Sequence, residues 1–253
     1  MVRSLNTRWR DGDVTLGIWL MTPGADTAEV LAPLGFDYLC IDRQHGLVGD
    51  ADVIAVLRAI RTSEATPIVR VASHEPSAIG TALDAGALGV VVPMVNDRHD
   101  AQQAVAACRY APMGARSFGP TRAALVHGPD YATRANQDVS CIPMIETVEA
   151  LDNLDEILAV EGVDAAYVGP SDLGVSMGIG PGVDHDDDRF RDALRAVLDG
   201  CQRHGVVPGI HATPELAARR VEEGFRMVTV TADFRALQAG ASAALAQAMR
   251  RGS

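Results

Sequence analysis

Two acidic residues, Glu146 in IPMIET and Asp172 in GPSDLG, each follow a short apolar run, with no His or Cys beside either. Paired carboxylates of this kind suit a hard divalent cation such as Mg²⁺ or Mn²⁺, with water or substrate oxygens filling the other octahedral positions. Equally, each can cap the helix that follows it or pair with an arginine. Arg70 interrupts the apolar run PIVRVAS. A guanidinium there requires an anion, either a structural Asp or a substrate oxygen. His45 follows Asp42 in IDRQHG, a spacing open to a general base held in one tautomer by a carboxylate, or to a hydrogen-bonded loop histidine. Asp84, in ALDAGALG, is either a helix-end residue or a second orienter of that histidine. In GPSDLG the tight turn directs the backbone N–H groups of Ser171 and Asp172 to one side, a cradle for a small carboxylate. His211, in GIHATPE, either reaches the same mouth or merely precedes a Thr213 N-cap with Pro214 at the first helical position. The run Asp184-His185-Asp186-Asp187-Asp188 imitates a metal site but reads as a solvated helix N-terminus, where acids complement the helix dipole.

Composition narrows the chemistry further. All 22 basic residues of the 253 are arginine; there is no lysine. That excludes a Schiff base, lysine-anchored PLP, a P-loop and a kinase-type lysine, because each needs an ε-amine. Drift from Lys to Arg codons accounts for the bias without touching the exclusion. A net charge of −11 opposes binding to nucleic acid or anionic membranes. Cys40, Cys108, Cys141 and Cys201 form no C-x-x-C pair and sit in apolar surroundings, as buried free thiols do in a reducing cytoplasm. The segment MVRSLNTRWRDGD carries no signal-peptide core, and no run of eighteen apolar residues follows. The expectation is a soluble, cytoplasmic protein.

The elements that must position these residues alternate regularly. Apolar strand candidates at 15–20, 37–42, 67–71, 89–93, 141–146, 164–169, 206–210 and 227–231 are separated by amphipathic helical patterns. Eight β–α repeats in this length predict one (β/α)₈ barrel domain spanning 1–253. A doubly wound sheet is the alternative, weakened because no G-x-G-x-x-G follows the first strand. In a barrel, active residues occupy the C-terminal strand ends, where Asp42, His45, Arg70, Glu146, Ser171 and Asp172 would form one arc. The irregular stretch 111–138, rich in Gly, Pro and Arg, predicts a lid or wall over the site. The Ala-rich segment 236–252 predicts a last helix that closes the barrel or packs on another subunit.

Taken in order, LGIWL, GFDYLCID, QHG, PIVRV, LDAGALGVVVPMV, RYAPMGARS, IPMIET, VEGVDAAYVGPSDLG and PGI resemble the HpcH/HpaI family of class II pyruvate aldolases across nearly the whole chain. The resemblance implies a (β/α)₈ barrel assembled as a hexamer, a trimer of dimers that exchange the last helix. It implies metal ligation of Mg²⁺, Mn²⁺ or Co²⁺ by Glu146 and Asp172, and carboxylate binding by the Ser171 and Asp172 backbone. Carbonyl polarisation falls to Arg70, and acid–base work to His45 with Asp42 or Asp84. The chain departs from the common pattern in Asp42-Arg43-Gln44-His45, where many relatives read Asp-Gly-Glu-His, and in Met144, where some carry Gln. Arg122 in SFGPTRAALVHG is expected near the mouth. Trp19, Leu173, Ile210, Arg122 and His211 are expected to set the choice of aldehyde.

The expected reaction is reversible aldol cleavage of a 4-hydroxy-2-oxo acid to pyruvate or hydroxypyruvate and an aldehyde, with small-molecule partners only. One alternative is a metal-independent, citrate-synthase-like or decarboxylating C–C bond-forming enzyme on the same scaffold. A second is a non-catalytic barrel that binds a small carboxylate.

Overall fold

Each apolar run becomes a parallel strand in the computed structural model, which describes residues 2–250. The strands are β1 (Thr15–Leu20), β2 (Tyr38–Asp42), β3 (Thr66–Arg70), β4 (Gly89–Val92), β5 (Ser140–Ile145), β6 (Ala165–Val168), β7 (Val207–His211) and β8 (Met227–Ala232). They pair in chain order, and β1 closes on β8, so the sheet is a complete barrel. The helices are α1 (Leu5–Arg10), α2 (Ala25–Leu31), α3 (Asp50–Ile60), α4 (Pro76–Asp84), α5 (Arg98–Cys108), α6 (Thr121–His127), α7 (Tyr131–Asp138), α8 (Val148–Asp152), α9 (Leu154–Leu158), α10 (Pro170–Ser176), α11 (Asp188–His204), α12 (Pro214–Glu223) and α13 (Asp233–Arg250). Residues 1 and 251–253 of the expected domain, including the end of the expected last helix, lie outside the described residues.

Strand alternation sorts the core into two layers. Ile18, Leu39, Ile41, Val69, Val90 and Val168 face the helices, while Trp19, Tyr38, Cys40, Ile68, Val91, Met144 and Tyr167 fill the barrel interior. Two large rings fit inside only because glycine faces them. A Cβ on Gly17 would lie 2.2 Å from the Tyr38 ring, and one on Gly209 would lie 2.9 Å from Tyr167. Gly17→Ala is therefore expected to lower unfolding free energy by about 1–3 kcal/mol through overpacking. Urea denaturation measures this, and an unchanged midpoint would show that the Tyr38 ring yields without cost.

The sequence did not signal α1. Its N-cap, Ser4, accepts from the Thr7 N–H at 3.2 Å. Leu5 and Trp9 pack into the interior cluster, and the Trp9 indole donates to Thr15 Oγ1 at 3.1 Å, so the helix plugs the N-terminal end of the barrel. The stretch 111–138 also differs from expectation. It contains α6 and α7 and connects α5 to the start of β5, which places it at the N-terminal end of this barrel rather than over the mouth. Arg122 accordingly donates to the Ala85 carbonyl between α4 and β4, not into the site.

α13 leaves the barrel after one anchored residue. Buried Asp233 accepts from Met21 N, Thr22 N and Thr22 Oγ1, which ties the end of β8 to the end of β1. Beyond it, Leu237, Leu245 and Met249 are exposed. No described helix is long and apolar enough to cross a membrane.

Candidate active site

The centre of the arc is Arg70. Being the last residue of β3 and inward-facing, it is 5% exposed, and Asp42 at the end of neighbouring β2 is fully buried. Nε and Nη2 of Arg70 donate to the two Asp42 oxygens at 2.8 and 2.7 Å. This bidentate fork, with the guanidinium 4.4 Å over the Trp19 ring, fixes the plane of the cation. Nη1 keeps no partner among the described residues. Both anions considered for Arg70 in the sequence are thus compatible: Asp42 holds two nitrogens and leaves the third for a ligand.

Asp42 does more than pair. Its Oδ1 also accepts the backbone N–H groups of Gln44 and His45 at 3.0 and 3.3 Å. It therefore shapes the loop that carries His45 and does not hold the His45 ring, which is exposed at the mouth. Asp84 does not orient that ring within this chain either. It ends α4 at the opposite end of the barrel and bonds Arg116 at 2.6 Å; that guanidinium in turn lies 4.5 Å over Tyr110. Of the two readings of Asp84, the helix-end one holds.

Glu146 follows β5 and is 1% exposed. One oxygen accepts the Met94 N–H at 2.7 Å, and the other has no partner among the described residues. Met94 adopts φ 55°, a left-handed conformation costly for a side-chain-bearing residue, and that conformation accompanies the N–H···Glu146 bond. Gly169 gives the carboxylate its space, since a Cβ there would stand 2.7 Å from Glu146 Oε2. Burial pushes the Glu146 carboxyl up, and the nearby Asp172 charge adds to this; the Met94 N–H and Arg70 act in the opposite direction. An orphaned buried carboxylate oxygen next to a second acid is what a bound cation would satisfy, so the residues present fit a divalent metal.

Asp172 and Ser171 lie in the first turn of α10, after Pro170 at its start. Their backbone N–H groups are among those a helix leaves free. Ser171 Oγ is engaged with the Gly182 carbonyl at 3.2 Å. Leu173 is fully buried in the layer between barrel and helices, as is Ile210, so neither lines the cavity. The reason is alternation: on β7 the outward Ile210 is followed by the inward His211. Trp19, His45, Arg70, Ser171, Asp172 and His211 do line one cavity of about 220 Å³.

Three contributors were not anticipated. Tyr167 forms part of the cavity floor, two residues before Gly169 on an apolar strand, and only its odd–even position relative to Gly169 hinted at an inward ring. Phe234 and Arg235 form part of the wall, because Asp233 pins the first turn of α13 beside the mouth. Arg235 makes no ion pair among the described residues. The acidic run at 184–188 is structural, as expected: Asp187 caps α11, and Asp184 binds Arg219 and Arg220.

The molecule is thus a (β/α)₈ barrel whose carboxylates, forked arginine and histidine converge at the carboxyl ends of β2, β3, β5 and β6, the enzymatic face of this architecture. The chain belongs to the HpcH/HpaI aldolase/citrate lyase family, whose model matches residues 15–239. It is 40% identical over 248 residues to a hydroxypyruvate/pyruvate aldolase of Rhizorhabdus wittichii, covering 98% of this chain and 99% of the relative. Among solved structures, it resembles an HpcH/HpaI aldolase/citrate lyase family protein of Burkholderia cenocepacia, with TM-score 0.90, 34% identity and coverage of 97% and 98%. It also resembles the citrate synthase SbnG, with TM-score 0.87, 31% identity and 98% of both chains covered.

Proposed function

We propose that this chain catalyses reversible aldol cleavage of a 4-hydroxy-2-oxo acid to pyruvate, or hydroxypyruvate, and an aldehyde. The observation that carries the reading is the buried, half-satisfied Glu146 carboxylate, close enough to Asp172 and to the Asp42-forked Arg70 to feel both charges, with Arg70 Nη1 unpartnered among the described residues. The relative named as a hydroxypyruvate/pyruvate aldolase, matched end to end, supports it.

Glu146 and Asp172 would hold a divalent cation, Mg²⁺, Mn²⁺ or Co²⁺. When bound, such an ion supplies Lewis-acid stabilisation of negative charge on the 2-oxo oxygen. The backbone N–H groups of Ser171 and Asp172 bind the substrate carboxylate. Nη1 of Arg70 donates to the 2-oxo oxygen, where charge develops as the C3–C4 electron pair is withdrawn. His45, or a water it orients, takes the C4 hydroxyl proton; the C4 oxygen becomes the aldehyde carbonyl, and a proton returned to C3 completes pyruvate. With no lysine in the chain, an imine cannot carry this charge.

A coupled lactate dehydrogenase assay on 4-hydroxy-2-oxo acids should report pyruvate release at rates that scale with enzyme. No release from any such acid, with Mn²⁺ supplied, would overturn the reading. The likeness to a citrate synthase favours one second reading, condensation of an acetyl-thioester enolate onto the ketone of oxaloacetate. Citrate formation from oxaloacetate and acetyl-CoA, without pyruvate exchange, would identify it.

The same proposal extends to setting and assembly. Four buried free cysteines suit a reducing, cytoplasmic compartment. The apolar side chains that α13 leaves exposed suit packing on a second copy, within a hexamer built as a trimer of dimers.

A further inference from the structure

A chain of buried hydroxyls runs through the barrel interior to the cavity. Tyr38 OH lies 2.8 Å from Thr229 Oγ1, Thr229 Oγ1 lies 2.6 Å from Tyr167 OH, and Tyr167 OH lies 3.5 Å from His211 Nδ1. Tyr38, Tyr167 and Thr229 are fully buried, and burial pushes both phenols up, so each keeps its proton.

The polarity of this chain follows from counting hydrogens. Each hydroxyl has one to donate, and a buried donor needs an acceptor. Among the described residues Tyr38 has Thr229 alone as partner, so its hydrogen is satisfied only by donating there. Thr229 must then donate to Tyr167, and Tyr167 is left with Nδ1 of His211. Any arrangement in which Nδ1–H donates to Tyr167 strands a buried hydroxyl hydrogen, on Tyr38, Thr229 or Tyr167. The His211 proton therefore resides on Nε2, which has no partner among the described residues. Burial holds the imidazole neutral, down to about 4, with Arg70 and Arg235 acting in the same direction and Asp42 against them. A second donor stands beside it: the indole of Trp19, edge-on to His211 with centroids 5.1 Å apart, is 3% exposed, and its Nε1–H has no acceptor among the described residues.

We propose that His211 is a specificity residue whose Nε2–H, set by the Tyr38–Thr229–Tyr167 relay, binds a hydroxyl oxygen on the carbon next to the aldehyde, so that the acceptor class is the α-hydroxy-aldehydes. The inference rests on the aldolase reading for its substrate, but its tautomer stands on the relay alone. An uncharged donor suits an uncharged oxygen, and a site built around that bond discriminates against an acceptor of the same shape that lacks it.

Two measurements test it. ¹⁵N NMR of the histidine-labelled protein near pH 7 should show His211 with protonated Nε2 and bare Nδ1, and Tyr167→Phe should erase that bias. A protonated Nδ1 in the unmodified protein would overturn the proposal whether or not the chain proves to be an aldolase. In aldol synthesis from pyruvate by the Mn²⁺-loaded enzyme, glycolaldehyde should be favoured over propanal, which replaces its hydroxyl by methyl. His211→Phe should cut kcat/KM for glycolaldehyde about 3- to 10-fold more than that for propanal, the scale of one neutral hydrogen bond. His211→Asn, which keeps an N–H, should restore part of the preference. Equal losses for both aldehydes would overturn the specificity role. Absence of product from either would reject the aldolase reading and, with it, the assigned acceptor class.

Discussion

Exhaustive treatment with EDTA is expected to abolish pyruvate formation, and Mn²⁺, Co²⁺ or Mg²⁺ to restore it. Among the described residues, buried Glu146 Oε2 has no hydrogen-bond donor, while Oε1 accepts from Met94 N–H. Leaving a carboxylate oxygen bare in such a place is costly unless a cation completes it. The strained Met94 backbone and the bare Gly169 preserve that arrangement and do not relieve it. Loss of the ion removes Lewis-acid stabilisation worth several kcal/mol, or about a thousandfold or more in rate. Glu146→Gln should mimic the effect and weaken Mn²⁺ binding measured by calorimetry. Full turnover after rigorous metal removal would refute this assignment.

Arg70→Ala should lower kcat by about 10²- to 10³-fold, the scale found when one preorganised donor to a developing oxyanion is removed. The same substitution also strips Asp42 of both guanidinium bonds, leaving it fully buried with only the Gln44 and His45 N–H groups. Breaking a buried pair in this way costs about 3–5 kcal/mol of stability. The two effects can be separated. Asp42→Asn combined with Arg70→Gln replaces the ion pair by a neutral one, so much of the stability should return while turnover does not. Near-normal turnover in either variant, measured on folded protein by the same pyruvate assay, would remove Arg70 from the mechanism.

The fold was legible because parallel strands buried on both faces read as continuous apolar runs, and β5, β6 and β8 emerge almost residue for residue. Glu146, Arg70, His45 and Asp172 were legible for a related reason: each breaks or ends such a run, and a barrel places those breaks at one rim. The misplacements share a physical origin. Leu173 and Ile210, expected as apolar walls of the aldehyde pocket, are turned outward by helical pitch and strand alternation. Arg122 and Asp84 belong to segments between a helix and the next strand, and in this architecture those segments lie at the rim opposite the chemistry. Asp42 has the right neighbours but a different role, because its competition between the Arg70 fork and the His45 ring is settled by geometry that spacing does not encode. The hydroxyl relay was invisible for the same reason: Tyr38, Thr229 and Tyr167 are far apart in sequence and meet only inside the closed barrel.

The plug formed by α1 has a bearing on turnover. With Leu5 and Trp9 sealing one end and Tyr38 and Tyr167 filling the middle, the barrel is a blind cup rather than a tunnel. Among the described residues, the α10 rim and the first turn of α13 line the cavity that reactant and products would share. Whichever fragment is held deeper, against Glu146 and Arg70, waits for the outer one to leave. A cup of this shape predicts ordered departure, outer fragment first, which product-inhibition patterns would reveal.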